Sequence, residues 1–75
     1  MTIDMLVREW RRRVENNDCP YAWRDENNNL HISLASLIQE AGLPITEETM
    51  RWAEEAVRQQ FRCPIVVIDH KRADA

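Results

Sequence analysis

The apolar positions of this chain recur with one period, then another, and each period marks an element. Ile3, Leu6, Val7, Trp10 and Val14 follow the i, i+3, i+4, i+7, i+11 spacing of one buried helical stripe. The spacing predicts a helix from about Ile3 to Asn16, with Thr2 as its cap. The segment Asn16-Asn17-Asp18-Cys19-Pro20 ends it, because proline lacks a donor and restricts the residue before it.

From Tyr21 to Ser33 the period drops to two, as in a β-hairpin. A loop at Asp25-Glu26-Asn27-Asn28 would pair Trp23 with Leu30 and Tyr21 with Ile32. All four large apolar side chains would then share one face. Ala22, Arg24, Asn29 and His31 would share the other. The helical period returns at Leu34, Leu37, Ile38 and Ala41, which predicts a second helix over 34–41 capped by Ser33. Gly42 suits the left-handed position after that helix, and Pro44 keeps it from continuing. Thr46 caps a third helix that reaches about Phe61 and buries Met50, Ala53, Val57 and Phe61. Arg62-Cys63-Pro64 breaks it. Ile65-Val66-Val67-Ile68 forms the last strand, apolar on both faces as in a strand covered on both sides.

The polar tail from Asp69 to Ala75 is expected to fray. The order α-β-β-α-α-β implies one α+β domain over residues 1–75, an antiparallel sheet of about three strands packed against helices.

Size and charge narrow the functions open to such a domain. A 75-residue chain has room for one core but none for a cleft between two lobes. Its net charge is −3, from ten basic and thirteen acidic residues, so no overall basic field draws it to nucleic acid or anionic membrane. No apolar run approaches membrane-spanning length and no signal peptide is visible, so the expected location is cytoplasmic. Cys19 and Cys63 are then expected as reduced thiols rather than a disulfide.

Catalytic chemistry finds little support. No Ser-His-acid or Cys-His-acid spacing is recognisable, and a single glycine cannot build a phosphate-cradling loop. The four zinc-type residues, Cys19, His31, Cys63 and His70, lack the close cysteine pair of a structural zinc site. The expectation is no enzyme, no metal and no cofactor.

The segment Ser33 to Phe61, with its helix, Gly42 stop and second helix opened by Thr46, has the outline of a helix-turn-helix. That resemblance implies a small DNA-binding regulator. Against it, Glu47 and Glu48 stand where a DNA reader would face phosphates, Ile38 replaces the usual small residue, and the Leu43-Pro44-Ile45-Thr46 turn is long. Glu47, Glu48, Glu54 and Glu55 could instead imitate phosphates toward a basic protein, but Arg51 and Arg58 interrupt their field.

Acids precede arginines by four residues at Asp4/Arg8, Glu9/Arg13, Glu47/Arg51 and Glu54/Arg58, the favourable orientation for pairing on a helix. Arg11 and Arg12 have no such acid before them and are the candidates for an external acidic partner. Trp52 and Met5 lie off the apolar stripes of their helices. A tryptophan held out of the core beside Arg51 and Glu55 is a suitable interface anchor.

The favoured function is a small non-enzymatic protein-binding regulator or inhibitor, of the general accessory or phage type. Its binding surface is drawn from Trp52, Arg51, Glu55, Met5, Arg11 and Arg12. The strand Ile65-Val66-Val67-Ile68 adds a homodimer contact if it lies at the sheet edge; inserted between the hairpin and the first helix, it would need no partner.

Overall fold

Three helices lie over one face of a three-stranded sheet in the computed structural model, which describes residues 2–68. Helix α1 spans Ile3–Glu15, strands β1 and β2 span Ala22–Arg24 and Leu30–Ile32, helices α2 and α3 span Leu34–Glu40 and Glu47–Phe61, and strand β3 spans Ile65–Val67. The predicted tail, residues 69–75, lies outside the described residues.

The helix starts follow their caps. Thr2 accepts the Met5 amide and Ser33 accepts the Ser36 amide through their side chains. Thr46 and Thr49 form a reciprocal capping box, and the Thr49 hydroxyl also donates to the Pro44 carbonyl at 2.7 Å. Gly42 takes φ 78° after α2, the left-handed conformation that its missing Cβ permits. Helix α3 ends on Arg62, also left-handed at φ 54°.

One core joins the elements. Ile3, Leu6, Val7, Trp10 and Val14 of α1 meet Leu34, Leu37 and Ile38 of α2, and Ala53, Ala56, Val57 and Phe61 of α3. Met50, expected inside, packs only partly buried at the margin, while Ala56 takes a fully inward position.

The sheet is mixed, with order β1-β2-β3. β1 and β2 pair antiparallel, as a hairpin must, but β3 pairs parallel to β2. This corrects the all-antiparallel expectation. The chain between β2 and β3 holds two helices, and that crossover returns it to run beside β2 in the same direction. β3 lies at the edge and is not inserted between the hairpin and α1.

The hairpin register also differs from the expectation, by one residue. Ala22 opposes Ile32, Trp23 opposes His31 and Arg24 opposes Leu30. Asp25 and Asn29 continue the ladder through an Asp25 N–H to Asn29 carbonyl bond of 3.0 Å, so the loop is Glu26-Asn27-Asn28. The Asn28 amide donates to the Asp25 carbonyl, and Asn28 itself adopts φ 65°. A three-residue loop closed by a left-handed residue is a standard hairpin solution. A one-residue slip sends every side chain to the opposite face. Ala22, Leu30 and Ile32 therefore point into the core, and Trp23 and His31 point away from it.

Candidate functional site

Helix α3 presents a broad outer side. Its inner stripe buries Ala53, Ala56, Val57 and Phe61, which at 100° per residue leaves Arg51, Glu55 and Arg58 facing outward and Trp52 on the flank. Trp52 is 43% exposed. On the outward face Arg51, Glu54, Glu55 and Arg58 frame a shallow open depression that Trp52 does not line. One wall is fixed by the Glu54–Arg58 pair, in which the guanidinium donates twice to Oε2, at 2.8 and 3.3 Å. The expected Glu47–Arg51 pair is absent among the described residues. Within those residues Arg51 and Glu55 carry no ion pair or side-chain hydrogen bond, and both are exposed. The depression thus holds one base and one acid without a described partner, and the half-exposed indole lies outside it on the flank.

The arginines of α1 are disposed differently. Arg11 pairs with Glu15 at 3.5 Å, Arg12 donates to Glu9, and Arg13 lies 3.7 Å from Glu9 and 3.8 Å from Glu40 of α2. Arg11 and Arg12 are therefore not the unpartnered cations that the sequence pattern suggested. An acid four residues after Arg11 and another three before Arg12 are within reach on a helix surface as well. The Asp4–Arg8 pair does not form among the described residues. Met5 lies opposite the buried stripe of α1 and is 55% exposed.

The outer face of the sheet is a third surface, and the expected register concealed it. Trp23 and His31 stack there with ring centroids 5.4 Å apart and an interplanar angle of 1°. His31 Nε2 is 2.9 Å from Asp25 Oδ2. The same carboxylate accepts the backbone amides of Asn27 and Asn29 at 2.8 and 2.9 Å and the Asn29 side-chain amide at 3.3 Å. The His31 bond first, and the Asn29 backbone amide next, lower the Asp25 pKa from 3.8 to about 2. Val66 stands beside His31 in the ladder and is 41% exposed, as is Ile68 two residues on. β3 is thus covered on one face only: Ile65 and Val67 pack against the core while Val66 and Ile68 do not. The sequence did hold a signal for this surface. Asp25 with asparagines at Asn27, Asn28 and Asn29 is the composition of an Asx-type turn with a left-handed closing residue, which favours the shorter loop.

The α2–Gly42–α3 unit exists, with Glu47 and Glu48 exposed in the first turn of α3. Cys19 and Cys63 are free thiols, each half-buried against the core. Among the described residues no three His, Cys, Asp or Glu side chains converge to hold a metal ion, and His70 lies outside those residues. No helix among them is long and apolar enough to cross a membrane.

Comparison with protein-family models, curated proteins and solved structures gives no significant match.

Proposed function

We propose that the chain is a small protein-binding regulator or inhibitor that acts without catalysis and docks its partner on the outer side of α3. One observation carries this: Trp52 is 43% exposed on the flank of α3, next to Arg51 in sequence and three residues before Glu55, neither of which has a described partner. A large aromatic beside an exposed arginine is the composition of an interface centre, where tryptophan and arginine dominate binding energy. The mixed charge of the depression favours a partner with polar groups of both signs around an apolar pocket. Arg11 and Arg12 no longer belong to this surface, because Glu15 and Glu9 engage them.

The alternative is DNA binding through α2 and α3, supported by the left-handed Gly42 between them. The exposed Glu47 and Glu48 oppose phosphate contact at the point where such a unit would approach the duplex.

The test is affinity capture from the native host by the full chain and by Trp52→Ala, each with and without nuclease, the fold being checked by circular dichroism. The expected result is a partner that survives nuclease and is lost, by tenfold or about that, with Trp52→Ala. Equal capture by the folded variant removes α3 as the docking surface. A catch that disappears with nuclease favours the DNA-binding alternative.

A further inference from the structure

We draw no further inference here: the strongest candidate, the outer face of the sheet that carries Trp23, His31 and Val66, is a small half-exposed surface patch, and nothing in the structure shows what covers it.

Discussion

Trp23 and His31 oppose each other in the β1–β2 ladder and stack in parallel, with His31 held by the Asp25 carboxylate at 2.9 Å. The pair links the loop to the strands: Asp25 organises the turn through the Asn27 and Asn29 amides and orients the imidazole through the same side chain. The turn and the outer sheet face are thereby tied together.

Replacing His31 separates the parts of this arrangement. In His31→Ala the Asp25 pKa should rise from about 2 toward 3.8, because its largest lowering interaction is gone. It should stop short of 3.8, since the Asn27 and Asn29 amides remain. Carboxyl carbon shifts followed by NMR titration read this directly. The lost cross-strand stack should cost about 0.5–1 kcal/mol in urea unfolding.

Asp25 also sets an acid-dependent contribution to stability. Its folded pKa lies below the unfolded value of 3.8, so its contribution is complete above about pH 4 and is lost as pH falls toward about 2. Asp25→Asn should therefore be less stable than the wild type at neutral pH, and the gap should close between about pH 4 and pH 2. Thermal melts at several pH values measure it. A gap that does not change across that window would show that the carboxylate charge is irrelevant to the loop.

The indole of buried Trp10 donates to Glu40 Oε1 at 3.2 Å, tying α1 to the end of α2. Glu40→Ala leaves that donor without its partner and should cost about 1–2 kcal/mol. Glu40→Gln keeps an acceptor and should recover most of the loss, because the Arg13 contact it gives up is long and exposed. Urea unfolding of the two variants separates the hydrogen bond from the charge.

Gly42 isolates a purely backbone effect. A Cβ at this position would meet nothing within 4 Å, yet φ is 78°. Gly42→Ala should cost about 1 kcal/mol from left-handed strain alone, and Gly42→Asn distinctly less. Equal losses would mean that the turn relaxes to another conformation.

Much of the fold was legible because its signals are local. Thr2, Ser33 and Thr46 announce helix starts through short side-chain oxygens, and all three act as caps. The α1 stripe Ile3–Leu6–Val7–Trp10–Val14 is a matter of period and is buried as read. The off-stripe position of Trp52 follows from the same geometry. Ion pairs were less legible. Glu9–Arg13 and Glu54–Arg58 form as the spacing suggests, while Arg11 finds an acid four residues after it and Arg12 one three residues before it. Several partners lie within reach of a long side chain on a helix, and spacing alone does not choose among them.

What the sequence by itself determined is the order α-β-β-α-α-β, the helix limits to within a residue and most of the helical core, Ala56 excepted, since helical period and caps act within a few residues of one another. The tertiary structure decided which way β3 runs, and which face of the hairpin is buried. Trp23 has the larger apolar surface, and a local count of apolar residues sends it inward. The Asp25-centred loop and the burial of Ala22, Leu30 and Ile32 in the common core instead go with the register that leaves Trp23 outside. That choice depends on contacts between segments far apart in the chain. It changes the outer face of the sheet from a polar surface into an apolar one.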